Sequence, residues 1–248
     1  MTRAVLLVAH PCHELLLHGW LQRTRPAVCV LTDGGGRTQL TRDLLQSVGA
    51  SEGPIFGRFT DAEVYAAILR RDAVFFASLA SELADFLVAQ RATAIVADAT
   101  EGYNPVHDLC GVIAGAACQL ARRAGAEVAQ YEYAVVDGPA SLRGESIELD
   151  DHELAAKLRD ARAIASALLD VDELLARFGE HAFRRETLHR VDDWTAERFA
   201  GAPRYERFGE ERVAAGRYAH VIRHREHMVP LRDALREWVE SARPACVS

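Results

Sequence analysis

Arg3-Ala4-Val5-Leu6-Leu7-Val8-Ala9-His10-Pro11-Cys12-His13-Glu14 is the stretch from which the architecture can be worked outward. Residues 3–9 form a nearly unbroken apolar run, the pattern of a strand buried on both faces of a parallel sheet. The run then stops on two histidines three residues apart, with Pro11 fixing the turn between them. Three further runs repeat the theme: Ala27–Thr32, Thr93–Asp98 and Val128–Asp137, the last stopped by Gly138-Pro139. Helical patterns fall between them. Leu15–Trp20 reads as a short helix, residues from about 61 to 90 have helical periodicity, and His107–Arg123 is a small-residue-rich helix able to pack closely on a sheet. The polar, glycine-containing stretch 33–60 gives no clear pattern.

Strands alternating with helices imply crossover connections and a mostly parallel α/β sheet with helices on both faces. Ligands bind such sheets at the carboxyl ends of the strands. Four loops are selected by that rule, opening at His10, Thr32, Asp98 and Asp137. The remaining residues differ in character: Asp150–Leu169 reads as a strong helix, and five of the ten histidines lie beyond residue 180. Residues 1–248 are therefore expected to form a single α/β domain. Its core would span 1–140 and carry the site, with 141–248 a helical C-terminal extension or lid.

Composition narrows the function. The 248 residues are 49% hydrophobic and 26% charged, with 29 basic against 36 acidic side chains and a net charge of −7. That balance opposes a nucleic-acid or anionic-membrane partner, both of which need a concentrated basic footprint. No apolar run approaches the ~20 residues of a membrane span. Cysteines 12, 29, 110, 118 and 246 are scattered and odd in number, which excludes a disulfide scaffold. The expectation is a cytoplasmic enzyme with a small-molecule substrate, its assembly as a homo-oligomer left open.

The chemistry-bearing residues gather at two strand ends. His10 and His13 follow the first strand, and His107 stands at the mouth of the helix after Asp98-Ala99-Thr100-Glu101-Gly102-Tyr103-Asn104-Pro105-Val106. If those two strands are near neighbours, all three imidazoles project over one rim. Three protein ligands with an open position make a catalytic rather than a structural metal site. Neutral imidazole suits zinc, but also iron(II), copper, nickel or manganese. Glu101 is the first candidate for a proton shuttle, with Asp98 and Asp108 behind it, and each of the three could instead be a helix cap or a carboxylate that orients a ligating histidine. Gly34-Gly35-Gly36-Arg37 could bring amides and a guanidinium to a substrate. His220, His224 and His227 share helical spacing and could form a second metal site or a cleft wall. The absence of GxGxxG after the first strand disfavours a dinucleotide.

Ala9-His10-Pro11-Cys12-His13-Glu14 resembles the Ala-His-Pro-Asp-Asp-Glu motif of the PIG-L, or LmbE-like, N-deacetylases. Asn104-Pro105-Val106-His107 occupies the place of their His-x-Asp-His motif. Leu31-Thr32-Asp33-Gly34 resembles their second strand end, and Tyr205 with Val213–Tyr218 is similar to the tails of some members. The resemblance implies a Rossmann-like fold, a zinc-type ion and removal of acyl groups from amino sugars or natural-product amides. It carries the metal-binding histidines onto His10 and His107, with His13 in place of the ligating aspartate. The family's general base becomes Cys12, the histidine that stabilises its tetrahedral intermediate becomes Asn104, and the aspartate of that motif becomes Val106.

The expectation is therefore a zinc-type, metal-dependent hydrolase with His10, His13 and His107 as ligands. Glu101, Asn104 and Cys12 are its catalytic candidates, and Asp33, Arg37 and Tyr103 are candidates for substrate contacts. A three-histidine divalent ion can bring the pKa of bound water to ~7 without a carboxylate base. Asn104 could donate to a developing oxyanion. Cys12 could be a fourth ligand, a nucleophile or a small packed residue. The changed acid–base set leaves an iron-dependent oxygenase or lyase as the alternative, and a non-catalytic binding protein as a third reading.

Overall fold

The computed structural model describes residues 3–138, 141–165 and 169–242; Pro139 and Cys246, named above, lie outside them. In chain order the elements are β1 (Ala4–Val8), a 3-10 turn (His13–Leu17), α1 (His18–Thr24), β2 (Ala27–Thr32), α2 (Thr38–Val48) and β3 (Ser51–Phe59). There follow α3 (Asp61–Leu69), α4 (Ala73–Ala89), β4 (Ala94–Asp98), α5 (Pro105–Arg123) and β5 (Ala129–Tyr133). The tail adds β6 (Glu145–Glu148), α6 (Asp151–Ala165), α7 (Leu169–Phe178), β7 (Arg185–Arg190), α8 (Arg204–Ala214) and α9 (Val229–Ser241).

The strands form one seven-stranded sheet in the order β3-β2-β1-β4-β5-β7-β6. The first five are parallel, whereas β7 runs antiparallel to both β5 and β6. Alternate residues of β1 feed two separate cores. Val5 and Leu7 pack with α3, α4, α5 and α9, while Leu6 and Val8 pack with α1, α2 and α6. The sheet is thus covered by helices on both faces, as the apolar runs require.

The structure departs from the sequence reading in four places. The unpatterned stretch 33–60 holds both α2 and the parallel edge strand β3, whose Gly53, Pro54 and Gly57 disguise it. Proline is tolerated there because an edge strand need not use every N–H. The periodic stretch 61–90 is two helices, because Arg71 takes a positive φ of 55° and Asp72 caps α4 afresh. β5 stops at Tyr133 rather than Asp137, since residues 135–137 turn their amides to the Glu101 carboxylate. Finally, the tail is not wholly helical: β7 pairs with β5, and β6, short and charged as edge strands tend to be, closes that side of the sheet.

One buried ion pair stitches the tail to the core. Lys157 of α6 donates to Glu186 of β7 at 2.8 Å and to the Leu16 carbonyl at 2.6 Å. The Glu186 carboxylate also accepts from the Gly19 and Trp20 amides in the first turn of α1. Burial pulls the Lys157 ammonium below its ordinary value, opposed by Glu186.

Candidate metal centre

The chain runs outward from β1 to β2 and β3, then returns to lay β4 on the other side of β1. The carboxyl ends of β1 and β4 therefore flank the point where strand order reverses, the place where open α/β sheets form a crevice. His10 and His13 come from the loop after β1, Asp98 ends β4, and His107 lies in the first turn of α5. The adjacency expected from sequence is present in the parallel β1–β4 pairing.

Three imidazoles cluster there. Ring centroids are 4.6 Å apart for His13 and His107, 5.2 Å for His10 and His107, and 5.3 Å for His10 and His13. The turn that brings His13 back over His10 passes through Cys12, whose φ is 77°, a left-handed conformation rarely adopted by residues with a Cβ. Cys12 is buried in the apolar cluster, and burial, reinforced by the charge of Glu14, pushes its thiol up to about 12. Behind His13, burial pushes the enclosed Glu14 carboxyl up to about 7, against hydrogen bonding from Thr41.

Hydrogen bonds set the tautomers. His13 Nδ1 lies 2.9 Å from Asp98 Oδ2, so Nδ1 carries the proton and Nε2 keeps its lone pair. Asp98 is held in turn by the Ala9 amide and the Tyr133 hydroxyl, each at 2.9 Å. His10 Nδ1 sits 2.8 Å from Thr32 Oγ1 and 3.0 Å from Asp61 Oδ1. Thr32 uses its own hydroxyl proton on the Ala9 carbonyl, so it accepts from His10. Burial raises Asp61, but the neighbouring His10, with the charge of Arg37, outweighs it and holds the carboxyl below its ordinary value.

His107 supplies the test of whether an ion fits. It is 2% exposed, and its Nδ1 is buried without a hydrogen-bond partner. Burial, with the neighbouring His13 and His10, pushes its pKa well below the ordinary value. A neutral, orphaned imidazole nitrogen is costly unless something accepts its lone pair, and a divalent cation does so. Ligand atoms of His13, Asp98 and His107 lie within 4.8 Å of one another, close enough to share one ion. Imidazole nitrogens suit zinc, with the Asp98 carboxylate in reach beside them; His10 lies against these rings but is not part of that 4.8 Å group.

The other expected residues are placed as follows. Asn104 caps α5, its Oδ1 accepting from the Val106 amide and the Tyr65 hydroxyl, while its Nδ2 lies 3.3 Å from His10 Nε2. Tyr103 stands 6.3 Å from His107, ring to ring, beside Phe208 and beneath the Arg204 guanidinium. Asp33 shapes the glycine loop, its Oδ1 accepting from the Gly35 amide, and Arg37 precedes α2, donating to the Gly34 carbonyl. Glu101 is committed elsewhere: the amides of Val135, Val136 and Asp137 donate to its two oxygens at 2.7–3.1 Å. It staples two loops together, both of its oxygens occupied by backbone amides. Asp108 Oδ1 likewise accepts from the Glu101 and Gly102 amides, and burial pushes its carboxyl up to about 8.

The histidine series in the tail disperses. His220 precedes the π-helical turn His224–Met228, His224 bonds to Tyr205 and Glu197, and His227 bonds to the Arg223 backbone. Among the described residues the three form no metal cluster. Sequence reading missed Asp61 and Tyr133. Asp61 follows β3, so the strand-end rule would have selected it had β3 been recognised. Its signal was the capping box Thr60-Asp61-Ala62-Glu63.

None of the known family models matches the chain, and no curated protein sequence matches it. Solved structures do. The A40926 pseudoaglycone deacetylase Dbv21 superposes with a TM-score of 0.57 at 17% identity, covering 79% of this chain and 99% of its own. A triple mutant of the deacetylase Orf2 from the teicoplanin biosynthetic pathway gives 0.52 at 14%, covering 77% and 100%. The conserved protein TT1542 from Thermus thermophilus gives 0.50 at 16%, covering 81% and 99%. The likeness is one of fold: the chain has the α/β fold of these deacetylases. No helix among the described residues is long and apolar enough to cross a membrane.

Proposed function

We propose that the protein is a metal-dependent amide hydrolase, a divergent relative of the PIG-L-like deacetylases, acting on a small sugar or natural-product amide. The observation that carries this reading is the orphaned, neutral His107 nitrogen inside a cluster of three imidazoles at the strand-order reversal. The fold shared with known deacetylases supports it.

In this reading His10, His13 and His107 hold a zinc-type ion. Asp98 has both oxygens engaged by Ala9, His13 and Tyr133, which suits it to orient His13 rather than to ligate. When bound, such an ion supplies Lewis-acid activation of the amide carbonyl and of an attacking water. The chain's own residues do the rest. Asp98 holds the Nδ1 proton of His13, and Thr32 with the nearby Asp61 carboxylate holds that of His10, so that Nε2 is the unprotonated nitrogen of each ring; the Nε2 of His10 faces the Asn104 amide. Asn104 offers an N–H donor beside His10, where negative charge would develop on the carbonyl oxygen. Tyr103 and Arg37 border the site and position the substrate.

Elemental analysis of tag-free protein, paired with hydrolysis of N-acetyl amino sugars, tests the proposal. One equivalent of divalent metal, lost together with hydrolysis in His107→Ala, is the expected result. Full metal occupancy in that variant would overturn the ligand assignment.

A further inference from the structure

A cavity of about 910 Å³ lies between α3, α8 and the segment after α8. It comes up beside the imidazole cluster at Asp61, Tyr103 and Asn104, which line it, while the three imidazoles themselves do not. The polar path is short: Asn104 Nδ2 faces His10 Nε2 at 3.3 Å, and the Tyr65 hydroxyl donates to Asn104 Oδ1 at 3.3 Å. Beyond Tyr65 stands Tyr218, the two ring centroids 6.1 Å apart. Tyr218 is 46% exposed, an unusual position for a large ring unless something covers it.

Two arginines line the cavity from the end of α8. Their backbones meet in one turn, where Gly216, at φ 67°, lets its own amide reach the Val213 carbonyl and the Arg217 amide reach the Arg212 carbonyl at 2.8 Å. This is the Schellman closure, for which a positive-φ glycine is the usual residue. It puts Arg212 and Arg217 on one turn, both lining the cavity. Elsewhere in the tail Arg204, Arg207, Arg223 and Arg232 each face a carboxylate. No salt bridge to a described residue engages Arg212 or Arg217. Of the two carboxylates that line the cavity, Glu211 faces Arg207 and Asp61 faces His10. The chain carries a net charge of −7, so this end of the cleft opposes the overall sign. Guanidinium forks in a walled cleft are suited to carboxylate or phosphate.

We propose that Arg212 and Arg217 form an anion-binding subsite, walled by the Tyr65 and Tyr218 rings, so that the substrate is an anionic amide bearing a ring between its acyl-nitrogen bond and its charge. This rests on the amide-hydrolase reading and specifies its substrate class. The amide would lie by His10 and Asn104, the ring along Tyr65 and Tyr218, and the carboxylate or phosphate at the arginines.

Calorimetric binding to matched pairs tests it without depending on turnover. 4-Acetamidobenzoate against 4-acetamidobenzamide reports on a carboxylate. N-acetylglucosamine 1-phosphate against N-acetylglucosamine reports on a phosphate. The anionic member of at least one pair should bind roughly tenfold more tightly, an advantage that shrinks with added salt. The Arg212→Gln/Arg217→Gln double variant, altered only at exposed side chains, should lose that advantage while binding the neutral member unchanged. Equal binding within both pairs, no binding by any of the four, or a preference surviving the double variant would overturn the proposal. Hydrolysis of the same probes is read separately. Arginine-dependent binding without hydrolysis keeps the subsite and sinks the hydrolase, whereas hydrolysis without anion preference does the reverse.

Discussion

Asp98 Oδ2 accepts a hydrogen bond from His13 Nδ1 at 2.9 Å although the two residues are 85 positions apart. The same oxygen takes the Ala9 amide, so one carboxylate ties the end of β4 to the loop after β1 and sets the imidazole's tautomer. Asp98→Asn keeps an acceptor but loses the charge that makes His13 a good ligand. Metal affinity should fall about 10–100-fold, read by competition with a chromogenic chelator, while the fold persists. An unchanged affinity would mean that His13 does not ligate.

Glu101 separates a staple from a base. With its oxygens on three amides, Glu101→Ala should destabilise the protein by about 2–4 kcal/mol in urea unfolding while sparing metal content. Glu101→Gln, which can still accept, should retain most activity. A general base would give the opposite pattern, a stable Gln variant slowed by about a hundredfold or more.

Asp108 gives the pH dependence. Its carboxyl, ordinarily near 3.8, is pushed up to about 8 by burial. The folded protein therefore keeps a proton that the unfolded chain releases near pH 4. The stability contributed by the protonated group is present in full below about pH 4 and is lost as pH rises through about 8. In chelator-treated protein, Asp108→Asn should flatten the decline in stability between about pH 5 and 8. Parallel curves for the two proteins would show that Asp108 is ionised in the folded state.

The Lys157–Glu186 pair predicts a large effect far from the chemistry. Lys157→Met leaves a buried carboxylate without its cation and should cost about 3–5 kcal/mol. Combining it with Glu186→Gln should recover part of that loss. Additive losses would show that the two charges do not interact.

The parallel core was legible because β1, β2 and β4 are buried on both faces and wrote continuous apolar runs. β3, β6 and β7 lie outside that core and carry glycine, proline or charge in place of a pattern. The same difference governed the site. His10, His13 and His107 were readable because they sit where visible strands end. Asp61 was hidden behind the unrecognised β3, and Tyr133 acts through Asp98 across a strand pairing that no local spacing encodes. The staple formed by Glu101 was invisible because its partners are backbone amides, which leave no mark on the side-chain sequence.

The imidazole cluster is supplied by residues 10–107, whereas α8 and the turn at Gly216 furnish the outer wall of the cleft and its two arginines. On the proposed reading, chemistry and selectivity would occupy different stretches of chain, joined through contacts that include Tyr103 and the Arg204–Asp137 bridge. A gene recombined between those stretches, keeping Arg204 and exchanging 205–222, would pass on the reactive centre intact while trading one range of substrates for another.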